Sequence, residues 1–525
     1  MADNWTRRQV LRGGGFGATG LVGLGLAGFA GYCWPHPKTA AARPATSPSS
    51  AGAEDPGHPG QIDEFVTRSD LHPPVIKITQ AAAATQATQT SQAGQPRYIF
   101  IAPRGYVSKS IGDSGLMIVD RAGDLVWFGS PIGGTPLNFT VQQYRGQPVL
   151  TWSAGYVNAQ GITYGTSYIA DSSYHVIATV KAGNGAETDL HEFNLTPQGT
   201  ALITAHRQVS ANLTSVGGPV KGSVMHSIAQ EIDVATGKVL FEWDSLDHVP
   251  LTESHQPVVG GTAKSPYDYF HINSVALASD GDLLISSRNT WTVYKVARSN
   301  GAIQWRLGGK KSDFDAGPGA GFSWQHDARM PEPGVLTVFD NASSPPQEPR
   351  SRALVLNVDT TAMRVTVQRA YTHPAGLLAD NQGSVELLPD GTVFVGWGAE
   401  PYFSQLGSDG ELLLDGQMPI GDQSYRAFTF DWTGRPQGKP AVVARANPAR
   451  GSVVYVSWNG ATDVATWTVL AGKSQAALTA VASQPREGFE TVISVNSEGP
   501  YFAVTAQDAA GHQLGRSATV RQSRA

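Results

Sequence analysis

Three segments set a histidine a similar distance before a turn glycine: Asp189-Leu-His191 before Gly199, Phe270-His271-Ile-Asn273 before Gly281, and Trp324-Gln-His326-Asp327 before Gly334. Beyond each turn, at nearly the mirror distance, stands a polar residue: His206 or Arg207, Arg288, and Asn341. Residues equidistant from a hairpin turn face one another across the strands, so each histidine is expected to meet its mirror partner. If the hairpins are equivalent repeats of a closed architecture, His191, His271 and His326 converge on its axis. Imidazoles converging beside an arginine suit an anionic, transferable group. A neutral imidazole, with a reference pKa of about 6.5, can attack at neutral pH, and the planar fork of Arg288 can hold two oxygens of the group being moved. Two other readings stand beside this one. The histidines could be satisfied core residues, or they could form a three-histidine zinc or copper site, which the charge of Arg288 opposes. The expectation is no metal and no cofactor.

The elements that must position these side chains are strands. The chain has 525 residues, with 59 glycines and 33 prolines, and its Val, Thr and Trp content comes without long charged helical patterns. This points to an all-β protein. A turn followed by alternating apolar residues and a tryptophan recurs at Asp120 to Trp127, Asp233 to Trp243 and Ser299 to Trp305. A second repeat, turn then apolar strand, begins at Gly199, Gly281, Gly334 and Gly391. Repeated β units with aromatic marks predict a β-propeller, and about 335 residues at roughly 45 to 60 per blade give about six blades.

Four parts follow from composition. Residues 1–42 read as a twin-arginine signal peptide: Thr6-Arg7-Arg8-Gln9-Val10-Leu11-Arg12, an apolar glycine-rich stretch to about Cys33, then Ala40-Ala41-Ala42 as a cleavage site. The expected location is extracytoplasmic, secreted or at the cell surface, with membrane tethering through the N-terminus as the variant in which the leader is kept. Cys33 is the single cysteine, so the fold must stand without an intramolecular disulfide. Residues 43–96 are a low-complexity linker with one short strand at Pro74 to Thr79, residues 97–436 the propeller, and residues 437–525 a small β-sandwich. In that last part the strands Val453 to Trp458, Ala465 to Leu470 and Tyr501 to Ala506 alternate, and a tryptophan on an early strand and a tyrosine-led late strand resemble fibronectin type III or immunoglobulin-like domains. The net charge of -5 becomes more negative once the cationic leader is removed, which disfavours nucleic acid and anionic membrane surfaces as partners.

Weaker signals complete the reading. Asp327 and Asp340 could orient histidines or cap turns, and Trp324, Trp397 and Tyr269 could stack on an aromatic ring. Gly317-Pro-Gly-Ala-Gly321 reads as a mobile rim loop, with Lys310 and Lys311 close by as attractors of an anion.

Tyr269-Phe-His271-Ile-Asn273-Ser, Ser287-Arg288-Asn289, Trp305-Arg-Leu-Gly-Gly309, Gln325-His326-Asp-Ala, Phe339-Asp-Asn341 and Ser351-Arg352-Ala occur in the order seen in bacterial arylsulfotransferases, over most of residues 60–430. The resemblance implies a six-bladed propeller that moves a sulfuryl group from a phenolic sulfate ester to a phenol, without a nucleotide donor or metal. It makes His326 the nucleophile and matches His271, Asn273 and Arg288 to the family's sulfate-binding residues, with His191 as a further match. His271, Arg288 and His191 are then expected to act with His326 in catalysis, and Asn341 and Arg207, the mirror partners, to join Asn273 in binding substrate. The chain departs from the family by lacking a disulfide pair and by its C-terminal module, as in a divergent branch. A non-catalytic surface propeller that binds a carbohydrate or protein is the alternative, and a quinone-dependent dehydrogenase propeller is a third reading that the resemblance disfavours.

Overall fold

The computed structural model describes residues 61–80 and 96–524, apart from 106–109, 131, 159, 448–449 and 498. The export motif, Cys33 and the cleavage site lie outside the described residues. The fold is all-β: among the described residues the only α-helix is the single turn Ser245–His248.

Between Tyr98 and Phe430 the strands form six mainly antiparallel sheets of four or five strands in chain order, with a small two-stranded sheet, Asp422–Gln423 on Arg104–Gly105, beside them. The innermost strand of each is, in turn, Phe428–Phe430, Thr135–Tyr144, Glu187–Leu195, Ile272–Leu277, His326–Glu332 and Ser384–Leu387. Each sheet packs on the next, and the sixth packs on the first, so the sheets close into a β-propeller. The second strands explain why the sheets stack. Leu283–Ser287 and Val393–Gly396 are buried throughout, because both faces of each strand are covered by neighbouring sheets. Leu284, Val293, Leu336, Val338 and Leu354 fill the layer between the fourth and fifth sheets. Phe339, Val355, Val385 and Val395 fill the layer between the fifth and sixth. Full burial of one such side chain contributes about 1.5–3 kcal/mol.

Two strands, one before the other sheets of the ring and one after them, close it. Phe428–Phe430 pairs with Tyr98–Ile101 as the inside strand of the first sheet, and Lys77–Gln80 adds to the outside of the sixth. Residues 61–80, assigned by composition to a linker, are therefore part of the fold, and the short strand starts at Lys77 rather than Pro74. The glycine-rich segment after Lys311 is not a free rim loop. Its strand Asp315–Ala316 pairs with Arg364 and Val365, and the Arg352 guanidinium donates to the carbonyls of Gly319 and Gly321.

Residues 441–521 form two further sheets, one holding the first, second and fifth strands of this region and the other the rest. They face each other across one apolar cluster that includes Val454, Val456, Trp467, Val469, Phe502 and Val504. This unit is bonded to the propeller. The Glu490 carboxylate accepts from the backbone N–H groups of Val66 and Thr67 at 3.0 and 2.6 Å, and Tyr174 donates to the Gly460 carbonyl at 2.7 Å. The Asn459 side chain both accepts from Phe128 N–H and donates to its carbonyl.

Candidate active site

The innermost strands are irregular where the site forms. Their registers break between Leu137 and Thr140, Thr188 and Phe193, Ile272 and Ser274, and His326 and Arg329. A bulge lets neighbouring residues turn toward the same side, which a regular strand forbids. Left-handed backbone at Asn138, His271, Trp324 and Asp327, with φ of 53 to 58°, accompanies these breaks. Bulky residues seldom adopt such φ, so surrounding contacts must hold them there.

His326 is 1% exposed. Its Nδ1 lies 2.7 Å from Asn341 Oδ1, and its Nε2 accepts from the Gln382 N–H at 3.3 Å. Asn341 in turn donates to the carbonyls of Ala379 and Gln382, at 3.1 and 3.0 Å. Those two acceptors require the amide nitrogen on their side and so point Oδ1 at the imidazole. The proton therefore belongs on Nδ1, and the lone pair on Nε2. Burial, the nearby charge of Arg288 and the other two histidines hold the His326 imidazole well below its ordinary pKa, so it is neutral.

His191 and His271 are built differently. Their rings lie 5.0 Å apart, edge to face. Nδ1 of His191 contacts both Asp189 oxygens at 2.8 and 2.9 Å, and Nδ1 of His271 lies 2.5 Å from Asp268 Oδ2. Burial by itself raises the Asp189 carboxyl, but His191, then His206 and the Thr163 hydroxyl, hold it far below the usual carboxylate range. A small recess is lined by Asp189, His191, His206, Asp268 and His271, with Ile162 and Met225 as apolar walls. Arg288 stands beside this group. Its backbone N–H donates to the His271 carbonyl at 3.0 Å, and its guanidinium lies 4.7 Å over the Trp324 ring and donates to the Asp380 carbonyl.

The mirror-partner argument thus holds by direct side-chain contact for His326 and Asn341, and by backbone for His271 and Arg288. His206 lines the same recess as His191 but bonds the Thr163 carbonyl at 2.8 Å. Arg207 is not brought to the cluster. It donates to the Asn184 carbonyl and lies 3.7 Å from Glu242, because neighbouring residues on a strand face opposite sides and His206 takes the inner one. Asn273 is fully buried; its Nδ2 donates to the Gln325 carbonyl, and its Oδ1 has no hydrogen-bond partner among the described residues. Neither aspartate singled out as a histidine orienter acts as one. Asp340 binds Arg352, and Asp327 faces Arg329 and Arg426. The orienters are Asp189 and Asp268, two and three residues before their histidines. That short spacing was visible in the sequence. Trp397 and Tyr269 are fully enclosed, with no face for a ligand.

A family model described as arylsulfotransferase (ASST) matches residues 140–418, which contain all three histidines, Arg288 and Asn341. The chain belongs to the arylsulfotransferase family. The matched span runs from the second sheet to the sixth, so the family's region is most of the ring. No curated protein matches the chain. Among solved structures it is similar to a protein of unknown function from Bacteroides caccae, at 12% identity and a TM-score of 0.38, over 63% of this chain and 98% of that one. It is also similar to the β-propeller domain of Myceliophteria thermophila Cps50 (Swd1), at 11% identity and a TM-score of 0.30, over 62% and 97%. Likenesses this distant say nothing about chemistry. Among the described residues no cluster of three or more His, Cys, Asp and Glu side chains is arranged to hold a metal ion.

Proposed function

We propose that the protein is an exported aryl-sulfate sulfotransferase in which His326 carries the sulfuryl group. The observation that supports this most is the contrast at Nε2 of His326: a neutral, oriented nitrogen lone pair next to Arg288 and two aspartate-paired histidines. Nε2 gives up its hydrogen bond from the Gln382 N–H and attacks the sulfur of a phenolic sulfate ester. The S–O bond to the aryl oxygen breaks, and the phenolate leaves with that electron pair. Arg288 neutralises charge on the sulfuryl oxygens, and the His191–Asp189 or His271–Asp268 pair gives the leaving oxygen a proton. A phenolic acceptor then returns a proton to the same pair and takes the sulfuryl group from the sulfohistidine, in a ping-pong sequence. Nδ1 keeps its proton throughout, bound to Asn341, and the positive charge of the sulfated ring is opposed by no carboxylate. An intermediate left without such stabilisation is poised to pass its group on. Export through the twin-arginine pathway, which carries folded proteins, suits a fold with no disulfide to form.

His326→Asn tests the reading. Wild type incubated with a chromogenic phenyl sulfate alone should form an acid-labile sulfohistidine and release one burst of phenol. The variant should show neither. If wild type forms no sulfohistidine with any aryl sulfate and instead binds a glycan or protein through the same recess, the surface-propeller alternative stands.

A further inference from the structure

Beneath the histidines, a second buried constellation crosses the axis of the ring, and each of the six sheets supplies at least one member. Arg426, next to the closing strand of the first sheet, donates to Asn138 of the second at 2.9 Å and to both Glu192 oxygens of the third at 3.0 and 3.3 Å. It also donates to the Asn273 carbonyl of the fourth at 3.1 Å, and its Nε lies 3.4 Å from Asp327 Oδ1 of the fifth. Glu386 of the sixth is close enough to Asp327 to feel its charge. Arg329 adds a second cation, 2.6 Å from Glu192 and 2.8 Å from Asp327. Arg426, Glu192 and Asp327 have almost no exposed side-chain surface. Nothing in the sulfuryl-transfer steps uses this group.

Its members sit beside the functional residues in sequence. Glu192 follows His191, Asp327 follows His326, and Asn273 is two residues after His271. The inner-strand bulges let one of each pair face the site while the other reaches the axis. Tyr425, next to Arg426, lies edge-on to His191 with ring centres 5.6 Å apart, and the Arg426 guanidinium lies 5.1 Å over the Tyr425 ring.

We propose that Arg426 is a positioning residue: by tying Glu192, Asn273 and Asp327 to one guanidinium, it makes the spacing of His191, His271 and His326 depend on closure of the ring by strand Phe428–Phe430. The bonds favour this over a purely adhesive role, because an apolar plug would stabilise the axis without fixing angles between strands. A planar guanidinium whose two terminal nitrogens donate to Asn138, Glu192 and Asn273, with Nε facing Asp327 as an ion pair, fixes them. The inference rests on the proposed reaction only for its activity readout.

The test uses the full chain with Arg426→Lys, Arg426→Met and Asp327→Asn, each followed by thermal unfolding, imidazole 15N–1H spectra, and transfer from a chromogenic phenyl sulfate to phenol. The expected result for Arg426→Lys and Asp327→Asn is a cooperatively folded protein whose His191, His271 and His326 resonances all move. Their kcat should fall by about tenfold to a hundredfold with KM little changed, since a misplacement of about 1 Å can cost a hundredfold. Arg426→Lys should retain more activity than Arg426→Met. If Arg426→Met does not fold, the other two variants decide. Lower melting temperatures with unmoved imidazole resonances and unchanged kcat in both would overturn the proposal. If wild type transfers no sulfuryl group, the reaction assignment fails, and the resonances alone still decide the positioning role.

Discussion

Equivalent places in three successive sheets hold three histidines with two kinds of partner. His191 and His271 set Nδ1 against a carboxylate, Asp189 and Asp268, whereas His326 sets it against the amide of Asn341. A carboxylate favours the imidazolium, so such a pair can give and take protons. An amide accepts one hydrogen bond without adding charge, so it fixes the tautomer and leaves the ring neutral. On the proposed reaction, the same hairpin makes a nucleophile or an acid–base group according to one neighbouring side chain.

The comparison breaks most sharply if its amide is turned into a carboxylate. Asn341→Asp places an anion against Nδ1 and raises the His326 pKa. The ring is then protonated, and its lone pair lost, over a pH range where wild type is neutral. Activity at pH 6 should drop by about tenfold or more relative to wild type and return as pH rises through the new value. A pH–rate profile with the acid limb unmoved would show that the amide does not set the charge of His326.

Asp268→Asn sharpens the other half. The His271 pair loses its anion, and proton delivery to the leaving phenol weakens, so kcat should fall by about tenfold to a hundredfold. The fall should be larger for sulfate esters of weakly acidic phenols than for nitrophenyl sulfate. Equal losses across a series of leaving groups would remove the acid–base role.

The smallest effect concerns stability. The Glu386 residue keeps some surface, but its carboxyl is enclosed, and desolvation with the like charge of Asp327 pushes it up to about 8. With a folded pKa above the unfolded one, its contribution is complete below about pH 4.3 and is lost as pH rises through 8. Glu386→Gln should therefore flatten the decline in melting temperature across that window and be the more stable protein at pH 8. Parallel wild-type and variant curves would place this titration elsewhere.

What the sequence determined by itself is local. Alternation, turn glycines and the absence of helical periodicity specify strands and hairpins, because those depend on neighbouring residues. Gly199, Gly281 and Gly334 adopt φ of 79, 85 and 75° at their turns, so the spacing from histidine to turn could be read directly. Asp189 and Asp268 lay within the same reach, as short-range partners of the histidines they hold. The tertiary structure alone decided what meets across the ring. Nothing near Arg426 in sequence marks it as the partner of Glu192, which is 234 residues away, and strict strand alternation gives no hint that His326 and Asp327 both turn inward. Residues 77–80 follow the same rule, since a segment that reads as linker becomes a strand only when the sixth sheet offers an edge. Strand and turn propensities act over a few residues, whereas buried charge seeks whichever partner closure brings near, and closure is a property of the whole ring.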